Sequence, residues 1–428
     1  MQTIRGLEAG RKALSRGISF SLDTDEREQA VRRIINDVSS RGDTAVREYT
    51  QKFDGVALDS LEVSRDEIAA AGKQLSPELL SALKLAAKRI RAFHAAQMKV
   101  VQSGTGGPGL NWLVRPLNRV GIYAPHGTAP YPSSLLMTAV PAKVAGVPEV
   151  TLATPRGPDG TLPAATLVAA DIAGVDRIFS IGGAQAIAAL ALGTESVPRV
   201  DKVCGPGNIY VMLAKKLLFG TVGIDALQGP SEVLIIADET ADPEYCAADL
   251  LAQAEHDELA EAILVTTSAE LAERVTEEVT RQLQQLSRKK IAAASLEQNG
   301  KIVLVSSMDE AVELANLYAP EHLLLMVDRA ESYLDRLSNA GCIILGEKGT
   351  VVLGDYVEGP SHVLPTQGTA RFSSPLSVLD FVRLTNVISV DQNSLAELGP
   401  AAMAIADFEG FDAHVRAVER RLKERDTK

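Results

Sequence analysis

The sequence predicts an α/β protein with mostly parallel sheets, divided between two α/β units. Short apolar strands alternate with Ala-rich helical stretches, and Gly-rich turns follow several of those strands. A chain of 428 residues also exceeds the size that one hydrophobic core usually supports. Apolar residues make up 46% and charged residues 23%, a globular balance. The formal charge of -12 argues against a nucleic-acid partner, which would need a concentrated basic surface. The only cysteines, Cys204, Cys246 and Cys342, offer neither a disulfide framework nor a metal knuckle. No apolar signal core stands at the start and no later run is long enough to span a bilayer, so a cytoplasmic protein without a membrane partner is expected.

The first hundred residues read as helical, with residues 1–25 forming a separate N-terminal segment. Val31, Ile34, Ile35 and Val38 follow the 3.6-residue period after Asp23-x-x-Glu26, which resembles a capping box, and Ser76-Pro77 opens another helix. From Val120 the texture changes to the strands VGIYAP, VTLATP, RIFSIGG, VDKVCGPG and EVLIIAD, then AILVTTS, KIVLVSS, HLLLMV and CIILGEKG. This grammar assigns 26–122 with 235–374 to the first unit and 123–234 to the second, leaving 375–428 as a helical arm.

No strand is followed by GxGxxG, so the usual dinucleotide fingerprint is absent. Gly182-Gly183-Ala184-Gln185 and Gly205-Pro206-Gly207-Asn208 either make tight turns or cradle a pyrophosphate on their N–H groups. In DLLAQAEHDEL, Gln253 and His256 are three apart on a helix, a metal-ligand spacing and equally the spacing of a solvated face. Glu321 and His322 stand just before an apolar strand, where burying them is costly unless they work as an acid–base pair or merely border a polar entrance. Asp355 and His362 lie on a Gly- and Pro-rich loop, and Glu409 precedes His414 in the tail. Gln253, His256, Asp355 and His414 together would make an N- and O-donor set suited to zinc. His94 and His126 read as structural, and Cys204 lacks a neighbouring base that would make it a nucleophile.

The segments VGIYAPHGTAPYPSSLLM, GGAQAIAALALGTESVP, VDKVCGPGNIYV, GPSEVLIIAD, LLAQAEHD, APEHLLLM, GDYVEGPSHVLPT and EGFDAHVRAV closely resemble those of histidinol dehydrogenases, in the same order and nearly end to end. The resemblance implies two incomplete Rossmann-like domains and a C-terminal arm exchanged in a homodimer with shared active sites. It implies one zinc per subunit on Gln253, His256, Asp355 and His414, and the catalytic pair Glu321 and His322. Tyr123, Gln185 and Asn208 match positions that contact NAD. Ser231, Gln253, His256, His322, Asp355, Glu409 and His414 match substrate contacts, and His362 is expected on the substrate side or just behind it. Three departures stand out: His126 where Gly is usual, Gln228 where Ala is usual, and Ser361 where Asn is usual.

The implied reaction is the oxidation of L-histidinol through histidinaldehyde to L-histidine with two NAD molecules, the last step of histidine biosynthesis. A relative oxidising another polyol or a sulfonated alcohol is the alternative. A zinc-stabilised scaffold or sensor without catalysis is disfavoured, because a Glu-His pair is superfluous to structure.

Overall fold

The computed structural model describes residues 1–16, 25–103, 110–125, 131–157 and 159–423. It divides into two compact units, Met1–Met98 with Pro116–Phe381, and Lys99–Arg115 with Val382–Lys428. The Asp23 half of the expected capping box and His126 lie outside the described residues.

The chain begins with strand β1 (Gln2–Arg5) rather than a purely helical segment, followed by α1 (Leu7–Leu14). Then come α2 (Asp25–Arg41), α3 (Asp43–Asp54), α4 (Arg65–Ala71), α5 (Pro77–Ser103) and β2 (Leu110–Pro116). Val31, Ile34 and Val38 are buried as their period predicts. Their partners differ from expectation, because the buried faces of α2 and α3 share a core with the second sheet, not with the first. Asp43, at the start of α3, ties this packing down by accepting from the hydroxyls of Thr194 and Ser196.

The second sheet is built from β3 (Arg119–Tyr123), α6 (Pro132–Val144), β4 (Glu149–Ala153), α7 (Ala164–Ala173), β5 (Arg177–Phe179), α8 (Gly183–Leu192), β6 (Lys202–Cys204), α9 (Ile209–Leu218) and β7 (Gly223–Ile224). Its strands are all parallel in the order β5-β4-β3-β6-β7. Each strand is apolar on both faces because helices cover both sides. Order reverses at β3, and such reversals open a crevice at the carboxyl ends of the strands.

The first sheet takes β8 (Glu232–Ala237), α10 (Pro243–Ala254), β9 (Glu261–Thr266), α11 (Ala269–Leu283), α12 (Lys289–Gln298), β10 (Lys301–Leu304), α13 (Met308–Tyr318), β11 (His322–Met326), β12 (Cys342–Leu345) and α14 (Val351–Tyr356). Its parallel order is β1-β10-β9-β8-β11-β12, so β1 closes one edge against β10. Two apolar clusters, one on each face, bury it. Among the described residues no helix is long and apolar enough to cross a membrane.

In the second unit, β13 (Val382–Ile388) pairs with β2, a strand where only helices and turns were expected. Helices α15 (Gln392–Phe408) and α16 (Asp412–Lys423) follow. They pack closely at Gly399, where an added Cβ would come within 3.0 Å of Val418.

Lys215 on α9 is 1% exposed and pairs with Asp225 at 2.5 Å while donating to the Gly205 carbonyl and the Gln228 side chain, both at 2.9 Å. Gln228 in turn donates to Asp225, so this residue, a departure from the usual Ala, completes a buried polar network. Removing one partner strands the other charge out of water. Lys215→Met is therefore expected to lower stability by about 3–5 kcal/mol in urea unfolding, and Lys215→Met with Asp225→Leu to recover part of that loss.

Candidate functional site

Glu321 and His322 lie at the entrance of β11, 7% and 5% exposed. This is the amino-terminal edge of the first sheet, opposite to the edge at which parallel sheets usually hold ligands. Parallel pairing aligns His322 with Val233 on β8, which brings Glu321 beside Glu232. The Glu232 N–H donates to Glu321 Oε2 at 2.8 Å. Burial nevertheless dominates, and pushes the Glu321 carboxyl up to about 7.

His322 Nε2 lies 3.3 Å from Asp355 Oδ1 and its Nδ1 lies 4.0 Å from Glu321 Oε2. Nε2 is thus the ring nitrogen turned to Asp355, and Nδ1 has no hydrogen-bond partner among the described residues. Burial works against the imidazolium, but the Asp355 hydrogen bond and the charges of Glu321 and Asp355 outweigh it and raise the His322 pKa. Asp355 is lowered despite burial, through its bond to His322 and the fields of His322, His362 and His256. It sits on α14 rather than on a loop, with Thr350 capping that helix.

Gln253 ends up buried on α10 with Oε1 unpartnered among the described residues. His256 is not on that helix: α10 stops at Ala254, and the His256 N–H turns back to the Gln253 carbonyl at 3.2 Å. Its side chain keeps contact with solvent. Crowding by protein atoms lowers its pKa, opposed by Asp355, so the neutral imidazole is favoured. An unsatisfied amide oxygen, a neutral imidazole and an ionised carboxylate are donors that suit zinc. Among the described residues, no group of three or more His, Cys, Asp or Glu side chains is arranged to hold a metal ion. His414, tilted against Phe411 with ring centroids 5.1 Å apart, and Glu409 belong to the second unit.

His362 has both ring nitrogens engaged. Nδ1 meets the Asp355 carbonyl at 2.7 Å and Nε2 meets the Ser134 hydroxyl at 3.1 Å, so it joins α14 to α6. Its neighbour Ser361 is buried and donates to the Met137 carbonyl at 3.1 Å. Ser231 stands directly before β8, where its carbonyl accepts from the Glu261 N–H. His94 is fully buried, bonded to the Ile90 carbonyl, and structural.

The carboxyl ends of the second sheet present the other group of predicted residues. Tyr123 ends β3, and its hydroxyl accepts from the Gly183 N–H at 3.1 Å. Gln185 is 1% exposed, with both amide atoms unpartnered among the described residues. Asn208 caps α9, its Oδ1 accepting from the N–H groups of Tyr210 and Val211, which leaves its amide hydrogens free for a ligand. Gly205 has φ +118, and a Cβ there would lie 2.1 Å from the Tyr123 carbonyl, so only glycine fits. Sequence reasoning missed Arg16, Ser134, Lys215, Asp225 and Glu232. Of these, Glu232 and Ser134 had a visible signal, inside the motifs GPSEVLIIAD and VGIYAPHGTAPYPSSLLM.

Comparison with known proteins gives first a class and then a family. This chain's relatives are named as dehydrogenases. A chain from Dehalococcoides mccartyi named histidinol dehydrogenase is 54% identical, covering 99% of this chain and 100% of its own. One from Deinococcus radiodurans with the same name is 49% identical over 99% and 100%. The crystal structure of histidinol dehydrogenase from Elizabethkingia anophelis superposes with a TM-score of 0.95 at 38% identity, covering 100% of this chain and 99% of that one. The family model described as histidinol dehydrogenase matches residues 19–422, and the chain belongs to that family of oxidoreductases.

Cys204, the one thiol near a glycine turn, is fully buried, and burial raises its pKa well above the ordinary thiol value. A thiol so protected is a poor nucleophile. Cys204→Ser should keep most turnover in a steady-state assay, with a loss of about 1–3 kcal/mol in unfolding because the hydroxyl is buried.

Proposed function

We propose that this chain is a zinc-containing, NAD-dependent dehydrogenase that converts L-histidinol through histidinaldehyde to L-histidine, completing histidine biosynthesis in the cytoplasm. The family membership supports the reaction, and three unpaired cysteines fit a reducing compartment. The observation that carries the mechanism is the division of labour within the buried pair: His322 has spent Nε2 on Asp355 and keeps Nδ1 free, 4.0 Å from Glu321. Bound zinc would fix the substrate's imidazole and amine, and two NAD molecules in succession would accept the hydrides.

His322 Nδ1 takes the alcohol proton in the first oxidation. Asp355 holds the ring and stabilises the charge it then carries. Glu321, with one oxygen fixed by the Glu232 N–H, takes a proton from the water that hydrates the aldehyde. His322 returns the first proton to the aldehyde oxygen as the gem-diol forms, and, neutral again, serves as base toward that gem-diol. Gln253, His256, Asp355 and His414 would hold the zinc. Ser231 and Glu409, together with the ligand side chains, would bound the substrate, and His362 would position Asp355 rather than touch substrate. Tyr123, Gln185 and Asn208 would receive NAD across the strand ends of the second sheet. On this reading each sheet is the core of an incomplete Rossmann-like domain.

The same reading makes the protein a homodimer whose second unit completes the partner's site. Phe408, Ile405, Leu398 and Ile388 are exposed on that unit, an apolar surface of the kind a subunit interface covers.

The reaction is tested by following L-histidinol and L-histidinaldehyde separately with NAD. Wild type should oxidise both, whereas Glu321→Gln should lose about 100-fold or more on the aldehyde and much less on the alcohol. Burial raises the Glu321 carboxyl to about 7, so the base form gains population as pH rises through 7. The aldehyde rate should climb over that range in wild type and lose this dependence in the variant. Failure on L-histidinol with turnover of another alcohol would leave the chemistry and remove the substrate.

The shared site is tested by mixing Glu321→Gln with His414→Asn subunits, each expected to be inactive alone. If the arm crosses, one site of the mixed dimer collects both defects and the other none, so random exchange should restore about a quarter of wild-type activity. No recovery after demonstrated exchange would refute crossing.

A further inference from the structure

Asp54 is the last residue of α3, and Gly55 closes the helix in the left-handed region at φ +74. A carboxylate there faces the negative end of the helix dipole, where a cation is the favoured occupant. Its Oδ2 is out of solvent and has no hydrogen-bond partner among the described residues. Burial raises the carboxyl to about 6. Neither helix capping nor packing accounts for an acid at this point, since an apolar or amide side chain would sit there at lower cost.

The carboxylate is aimed at the turn that opens α8. A Cβ on Gly182 would lie 3.4 Å from Asp54 Oδ2 and 2.6 Å from Pro155, so only a bare glycine lets this turn come so close to the carboxylate. Asp54 is also close enough to Tyr123 to add to the effect of burial, which raises that phenol to about 12. Beside them stands Gln185, buried and unpartnered at both amide atoms among the described residues. An acceptor without donors, next to an amide without partners, suits a ligand that brings hydroxyl groups.

The topology says which hydroxyls. From β7 the chain runs through Gln228 and Gly229 into Glu232, whose N–H holds Glu321, so the chemistry lies toward the β6–β7 side of the second sheet. Asp54 and the Gly182 turn lie at β5, the opposite edge. A dinucleotide laid across the strand ends, with its reacting ring toward Glu321, brings its adenosine to β5. We infer that Asp54 accepts the 2′- and 3′-hydroxyls of the adenosine ribose and so excludes a cofactor with a 2′-phosphate. This assignment rests on the NAD reading above.

The test is equilibrium binding of NADH and NADPH, followed by nicotinamide fluorescence, to wild type and Asp54→Asn with thermal unfolding alongside. Wild type should prefer NADH by about 100-fold. Asp54→Asn should bind NADH about tenfold more weakly and NADPH no more weakly than wild type does, as expected for loss of a hydrogen bond to a charged group. Its unfolding midpoint should be unchanged or higher, since the substitution removes an unfavourable charge from a helix end. An unchanged NADH-to-NADPH ratio, or equal weakening of both with a lower midpoint, overturns the assignment. Wild type that binds neither dinucleotide overturns the NAD reading itself, and this assignment with it.

Discussion

Glu232 is where the first unit's catalytic edge is held together, and it serves twice. Its backbone N–H fixes Glu321, while its side chain, 1% exposed, receives both guanidinium arms of Arg16 at 2.6 Å and the Gln367 N–H at 2.8 Å. Arg16 also donates to the Tyr318 carbonyl and lies 3.9 Å above that tyrosine's ring. A buried ion pair of this kind contributes little certain net stability, because desolvation offsets attraction. What it does supply is position. The start of β8, the loop at Gln367 and the N-terminal segment meet at one carboxylate, and the orientation of Glu321 depends on all three.

The buried Glu321–His322 pair stands at the entrance end of a parallel sheet, opposite to the end at which such sheets usually hold ligands. The second sheet offers its carboxyl ends, with Tyr123 and the glycine turns, and the first offers the entrance of β8 and β11. The segment after α14 ties the two together: Ser361 and His362 reach Met137 and Ser134 on α6, Thr366 accepts from the Gly229 N–H, and Asp380 pairs with Lys202.

The strands from Val120 to Leu345, all but the two-residue β7, were legible because parallel strands covered on both faces are written as unbroken apolar runs. β1 and β13 were not, since QTIR and VRLTNVI carry polar residues at half-exposed positions and look like turns or helix fragments. The period of α2 identified its buried face but could not name the partner, and it packs on the second sheet. Glu321 and His322 could be found because polar residues before an apolar strand are anomalous. His256 was placed on the helix though it lies two residues beyond its end, because nothing in AEHDEL marks the stop at Ala254. Asp54 and Lys215 looked like ordinary helix residues, and only burial distinguishes them. Gln253, His256, Asp355 and His414 lie far apart in sequence, and no local pattern encodes a relation among them.

The pairing of β1 with β10 sets the order in which this chain matures on the ribosome. Gln2–Arg5 emerges first, yet its partner Lys301–Leu304 follows some 300 residues later, on the order of tens of seconds at ordinary elongation rates. Throughout that interval the strand has no sheet to join, and once β10 arrives its outer edge stays open until the N-terminus returns to it. A bulky fusion placed ahead of Met1 would burden this last closure.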